Sequence, residues 1–264
     1  MDEPTTEAPG LPRIQSLGRA DAILSAVMAH DGAISLAALS EGVGLHKTTT
    51  FNLAESLVVL GFLERVPQPK GYRLGLRCLE LGRHVAKTMP ILEISQPYLR
   101  ELCRQTRETV NLALPYLQEG IIIEALQSQQ AVRATAYAGA RTHYHSSACG
   151  KAMLAHFPEE QRRWIYRSVG LPRMTPFTIC EPEAMEAELA LSRRQGFATD
   201  RQENEIGAYC VGMPIFGPFD QIVASISVSG VITRMTPELV ADIVAQLRDA
   251  TGRISQSLGQ SRGG

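Results

Sequence analysis

Hydrophobic residues recur at helical spacing through the first third of the chain, and later stretches switch to strand-like alternation. Ile23, Leu24, Val27 and Met28 share one helical face between Arg19 and Ala29, and Asp31-Gly32 ends that segment. Leu36 and Leu39 predict a short helix from Leu36 to Glu41, which Ser35 can cap. Gly42-Val43-Gly44 reads as a turn, with Leu45 packing between helices. A longer helix follows from His46 to Leu60, with Leu53, Leu57 and Leu60 on one face. Gly61 stops it, and Phe62 to Gly75 reads as a hairpin carrying Lys70 and Arg73.

Helix, glycine turn, polar-headed helix and basic hairpin form a winged helix-turn-helix, an arrangement that puts one helix into a DNA major groove. The predicted contact residues are Ser35, His46, Lys47, Thr48, Thr49, Thr50 and Asn52, joined by Lys70 and Arg73 of the hairpin. Threonine is a mediocre helix former, so several in one polar first turn suggest a contact surface; simple solvation is the alternative. Short hydroxyls suit phosphates and base edges, and Asn52 can bond adenine through two hydrogen bonds.

Leu76, Leu79, Leu81, Val85 and Ala86 predict a helix from Leu76 to Lys87, read as an interdomain linker and dimer contact. Beyond it the pattern predicts a helix over Pro97 to Arg107, with Leu99, Leu102 and Cys103 inward. Thr109 to Leu117 and Gly120 to Leu126 read as a strand pair, Arg133 to Tyr137 as a further strand, and Gly150 to Ala155 as a helix opening. Glu183 to Gln195 is an amphipathic helix ended by Gly196. Cys210 to Phe216 and Gln221 to Ser229 read as antiparallel strands, and Thr236 to Leu258 as a closing helix with Pro237 in its first turn. Interleaved strands and helices make the fold class α+β.

Composition narrows the function classes. The 264 residues suffice for two domains with their own cores, at an ordinary 44% hydrophobic and 20% charged. No apolar run approaches the ~20 residues of a membrane helix, so no membrane partner is expected. Met1 to Gly10 is acidic and rich in Pro and Thr, without the cationic head and apolar run of a secretory signal, and is expected to be a disordered tail. Five cysteines (Cys78, Cys103, Cys149, Cys180 and Cys210) lack repeated spacing, which favours reduced thiols and a cytoplasmic location. The formal net charge of −1 lends nothing to nucleic-acid binding. Within residues 11–75, Arg13, Arg19, Lys47, Arg65, Lys70 and Arg73 are nearly balanced by Asp21, Asp31, Glu41, Glu55 and Glu64. Only the local placement of Lys47, Lys70 and Arg73 favours DNA.

Two sets of residues carry a family resemblance. The first is Gly61-Phe-Leu-Glu-Arg, Tyr72-Arg-Leu-Gly and Leu79-Glu-Leu-Gly. The second is Gly196-Phe-Ala-Thr-Asp200-Arg-Gln-Glu203, six residues, then Cys210-Val-Gly-Met-Pro-Ile-Phe. Thr109-Val-Asn-Leu-Ala, Ala148-Cys-Gly-Lys-Ala-Met-Leu-Ala, Leu171-Pro-Arg-Met-Thr-Pro and Ile226-Ser-Val-Ser-Gly surround it. From Ile14 to Leu258 the chain resembles the IclR family of bacterial transcription regulators. The resemblance implies an N-terminal winged helix-turn-helix, a linker helix and a C-terminal GAF-like effector-binding domain. The expected limits are residues 1–12 for the tail, 13–75 for the DNA-binding domain, 76–90 for the linker and 91–260 for the effector domain. It further implies a homodimer or dimer of dimers on a partly palindromic double-stranded operator. Three departures stand out. His46 replaces the usual Pro, Asn52 a common Arg, and Gly217 the Asp or Asn that closes the signature.

Family pocket residues carry over to Ala148, Cys149, Gly150, Asp200, Cys210, Ser227 and Ser229. Ala148 to Gly150 lead into a helix whose free N–H groups favour an anion. Ser227 and Ser229 stand two apart on one strand face and can each donate a hydroxyl. A carboxylate would then be held without any arginine, and Asp200 would accept from a ligand hydroxyl, a hydrated aldehyde or water. A small organic-acid effector is expected, with no cofactor, no metal and no catalytic residue, and repression is favoured over activation. Two other readings stay open. Cys149 or Cys210 could serve as an enzyme nucleophile with His143 or His145 as base, and the chain could be a constitutive DNA-binding scaffold. The two histidines with Cys149 or Asp200 form only a loose metal set without compact ligand spacing.

Overall fold

The computed structural model describes residues 13–259 and divides at Met89/Pro90 into two units. The expected tail at 1–12 lies outside the described residues.

The first unit comprises α1 (Gln15–Met28), α2 (Leu36–Gly42), α3 (Lys47–Val59), the hairpin β1 (Leu63–Pro67) and β2 (Lys70–Leu74), and α4 (Leu76–Lys87). Its core joins Ile23 and Val27 of α1 to Leu39, Ala54, Leu57, Leu63 and Tyr72. Ser35 caps α2, its Oγ accepting the Ala38 N–H at 3.2 Å. Gly44 makes the turn into α3 at φ +64°, a left-handed conformation that favours glycine. The hairpin is held to the helices by a bridge in which Ile34 and Tyr72 exchange both backbone bonds at 2.9 Å. Two expectations need correction. Helix α1 starts four residues early, at Gln15, and Leu60 is 62% exposed. The inward stripe of α3 is Thr50, Ala54 and Leu57, because helical geometry carries Leu60 past the core.

The second unit is a six-stranded antiparallel sheet in the order β5-β4-β3-β8-β7-β6. The strands are β3 (Thr109–Tyr116), β4 (Glu119–Leu126), β5 (Arg141–Thr142), β6 (Ala198–Arg201), β7 (Ala208–Phe216) and β8 (Ile222–Val231). Alternation gives the sheet two unlike faces. Val110, Leu112, Val211, Met213, Ile226 and Val228 are buried on one, covered by α5 (Pro90–Thr106) and α9 (Pro237–Ser257). The other face bears Thr109, Asn111, Cys210, Gly212, Ser227 and Ser229 and receives α6 (Ala148–Leu154), behind which lies α8 (Pro182–Gln195).

Several elements depart from the pattern-based reading. Helix α5 begins at Pro90 and runs through Pro97, which costs one backbone bond without ending the helix. Helix α7 (Glu159–Val169) and strand β6 were not anticipated. The stretch Arg133 to Tyr137 alternates in exposure like a strand but joins no ladder. Side chains take its carbonyls instead: Thr109 Oγ1 donates to Ala134 O at 2.7 Å, and Gln127 Nε2 to Ala136 O.

Candidate DNA-contact face and effector cavity

The candidate DNA-contact surface is organised by α3. His46 precedes the helix in an extended conformation, and Lys47, Thr48, Phe51 and Asn52 emerge at the spacing of one outward face. Thr49 is half-buried. Thr50 is a correction: it is fully buried, and its hydroxyl donates to the His46 carbonyl at 3.2 Å. Its place beside Ala54 and Leu57 makes it a core residue, out of reach of DNA. Ser35, Lys70 and Arg73 are exposed. Arg73 is tied to Glu64 directly across the hairpin. Lys47 and Lys70 have no ion-pair partner among the described residues. Glu55 fixes the hairpin against α3, accepting from Arg65 Nε and from the Tyr72 hydroxyl at 2.9 Å each.

In the second unit, strand register builds a cavity wall. Asp200, Cys210, Ser229 and Thr109 line up in one row across β6, β7, β8 and β3. Gly212, Ser227 and Asn111 form the neighbouring row. A Cβ at Gly212 would lie 2.3 Å from the Ala148 carbonyl oxygen, so glycine there lets α6 approach the sheet. Together with Ala148, Cys149, Arg141 and the irregular segment at 134–137, the residues of these rows other than Gly212 line a cavity of about 170 Å³. That is room for on the order of ten water-sized atoms.

Six of the seven expected pocket residues line this cavity: Ala148, Cys149, Asp200, Cys210, Ser227 and Ser229. Gly150 does not. It packs where a Cβ would meet His143 O at 2.1 Å, and its N–H is bonded to Ser147 Oγ at 2.9 Å. Helix α6 therefore starts at Ala148 behind a Ser147 cap, earlier than expected, and spans only seven residues. Arg141 also borders the cavity, with its guanidinium 4.1 Å from the Tyr116 ring centroid. Its charge is therefore held over Tyr116, which does not line the cavity. Asn111 was also missed, although stepping from Ser227 to its cross-strand neighbour would have found it. Arg141 carries no such signal, since its position depends on the two-residue edge strand β5.

Burial dominates the electrostatics. Asp200 is pushed up to about 6 by desolvation, opposed by the N–H groups of Asn204 and Glu203, which reach its Oδ1 at 3.2 and 2.7 Å. Behind it, fully buried Lys151 bonds both Glu203 carboxylate oxygens at 2.7 Å and Glu188 at 3.2 Å. Burial raises the Cys149 thiol, and it raises Cys210 well above the ordinary value with help from the Asp200 charge. Both therefore stay protonated at neutral pH, which makes them poor nucleophiles. His143 and His145 line a different cavity of about 70 Å³, with His143 on Glu119 at 2.8 Å and His145 on the Pro172 carbonyl at 2.8 Å. The thiol–imidazole pair of the enzyme reading is not assembled. Among the described residues no group of three or more His, Cys, Asp or Glu is placed to hold a metal ion. No described helix is long and apolar enough to cross a membrane.

A helix-turn-helix with a wing, followed in one chain by a sheet-walled polar cavity, defines a DNA-binding regulator with a ligand-binding module. Comparison with known proteins makes this specific. The IclR helix-turn-helix domain matches residues 16–67, and the bacterial transcriptional regulator IclR C-terminal domain matches residues 83–256. This chain belongs to the IclR family of bacterial transcription regulators. It is 30% identical over 249 residues to the HTH-type transcriptional regulator XynR of Escherichia coli (strain K12), covering 94% of this chain and 99% of that one. It is also 30% identical over 257 residues to the transcriptional repressor IclR of the same strain, covering 97% and 94%. An IclR homologue from Microbacterium hydrocarbonoxydans, crystallised with 4-hydroxybenzoate, superimposes with a TM-score of 0.80 at 26% identity, covering 92% of this chain and 98% of that one.

Proposed function

We propose that this protein is a repressor whose DNA affinity is set by a small organic acid bound in the 170 Å³ cavity, and that it controls genes for that acid's metabolism. The observation that carries the reading is the alignment of Asp200, Cys210 and Ser229 in one row beside Ser227, under the first turn of α6. Ser227 and Ser229 donate hydroxyl protons to the carboxylate, and Asp200 accepts from a ligand hydroxyl or a held water. Relatives named as repressors support the sign of regulation. The complex with 4-hydroxybenzoate supports the ligand class.

On the DNA side, Lys47 and Lys70 contact phosphates, while Thr48 and Asn52 reach base edges with Thr49 at the margin. Ser35 and His46 flank them, and Arg73 contributes a charge already shared with Glu64. A homodimer on a partly palindromic operator places two such helices in half-sites ~34 Å apart. Helix α4 is the proposed dimer contact: none of its residues is buried, and Leu76, Leu79 and Val85 are exposed on an amphipathic helix. The test is footprinting on the DNA upstream of its own gene, with and without a panel of organic acids. Acid-dependent release of one protected palindrome supports the reading; protection that no acid alters contradicts it.

A further inference from the structure

The cavity wall contains a buried polar atom with no partner. Asn111, on β3, is 6% exposed and borders the cavity between Thr109 and the paired serines. Its Nδ2 donates to Ser227 Oγ and to Ser229 Oγ at 3.3 Å each. Its Oδ1 accepts from nothing among the described residues. Buried amide oxygens are nearly always satisfied, so this one awaits a donor. The neighbouring hydroxyls are engaged elsewhere: Thr109 Oγ1 donates to Ala134 O at 2.7 Å, and Ser225 Oγ to Cys149 O at 3.0 Å. The free space on its open side is the cavity.

We infer that Asn111 is a ligand-binding residue that selects acids carrying a hydroxyl group. The inference rests on the cavity being the effector site. Because Asn111 occupies the serine oxygens as acceptors, the Ser227 and Ser229 protons, which face the Cys149 and Cys210 sulfurs, are the ones a bound carboxylate takes. A carboxylate offers no proton in return. A second group on the same ligand, an O–H able to donate, matches the Asn111 Oδ1. An oxo group or a bare methylene at that point leaves Oδ1 without a donor from the ligand. Sites built to bond a substrate hydroxyl reject analogues lacking it far more strongly than apolar pockets reject a size change.

The test uses the full-length protein and calorimetric titration with matched acids: glycolate, glyoxylate and acetate; lactate, pyruvate and propionate; 4-hydroxybenzoate and benzoate. At least one hydroxylated member should bind at least about tenfold tighter than its oxo or unsubstituted partner. In Asn111→Leu, which lacks the amide oxygen, that ratio should fall towards one. Asn111→Ala, which removes the amide without adding bulk, should lose the preference in the same way. It also provides a folded comparison should the leucine variant not fold. Acids that bind without any hydroxyl preference, or a preference unchanged in Asn111→Leu, overturn the inference and leave the effector site standing. Failure of every acid to bind overturns both.

Discussion

Gly212 on β7 and Ala148 at the start of α6 meet so closely that a Cβ on Gly212 would stand 2.3 Å from the Ala148 carbonyl oxygen and 2.9 Å from the Cys149 nitrogen. Backbone lies against backbone there, so no flexible side chain can yield. Gly212→Ala should push α6 off the sheet, with a stability loss of about 1–3 kcal/mol by overpacking. Denaturant unfolding together with acid titration checks this. The acid response should be weaker in the variant even where it remains folded, because Ala148 and Cys149 line the cavity.

Asp200 carries its charge at an energetic cost. Its carboxyl has an ordinary value of 3.8 and sits at about 6 in the fold. Between those values the folded protein holds a proton that the unfolded chain has released. Stability therefore falls as pH rises through this window and levels off above it. Asp200→Asn keeps an oxygen for the Glu203 and Asn204 N–H groups and removes the charge. The variant should match the parent near pH 4 and exceed it by roughly 1–3 kcal/mol at pH 7. Thermal unfolding across pH 4.5–7.5 reads the difference, and parallel curves would contradict the assignment.

The three polar residues Lys47, Thr50 and Asn52 should part company. Lys47→Ala should weaken binding to all DNA sequences and lower the salt slope by about one. Asn52→Ala should relax discrimination at one base position, costing about 1–3 kcal/mol there. Thr50→Val should leave operator binding alone, since Thr50 faces Ala54 and Leu57. Its effect should appear in stability, because the hydroxyl bond to His46 O is lost.

Lys151 is fully buried between Glu203 and Glu188. Lys151→Met should destabilise the second unit by about 3–5 kcal/mol, since Glu203 would be left buried without its cation. Burial already raises Glu203, with Lys151 the main opposing influence. The loss should therefore shrink as pH falls and Glu203 takes up a proton.

The sequence was most readable where local rules decide structure. The Ser35 cap, the Gly44 turn, the hairpin and the Pro237-led closing helix follow from residues within a few positions of one another. Ser227 and Ser229 were legible through the family resemblance, and strand alternation accounts for both lying on one face. What escaped was non-local. Arg133 to Tyr137 alternates like a strand, yet distant side chains take its carbonyls. Thr50 looked like part of a polar turn because composition does not reveal helical phase to within one residue. Asn111 and Arg141 enter the cavity only through the pairing of β3 with β8 and of β5 with β4.

The central claim is that the cavity controls DNA binding. Its most direct test is operator affinity, measured by fluorescence anisotropy with and without the tightest-binding acid, for the parent and for the Ser227→Ala, Ser229→Ala double variant. The parent should lose about 5- to 150-fold in affinity when the acid is added. The double variant should bind operator as tightly as the acid-free parent and show no change with acid. An acid response of unchanged size in the double variant would contradict the account.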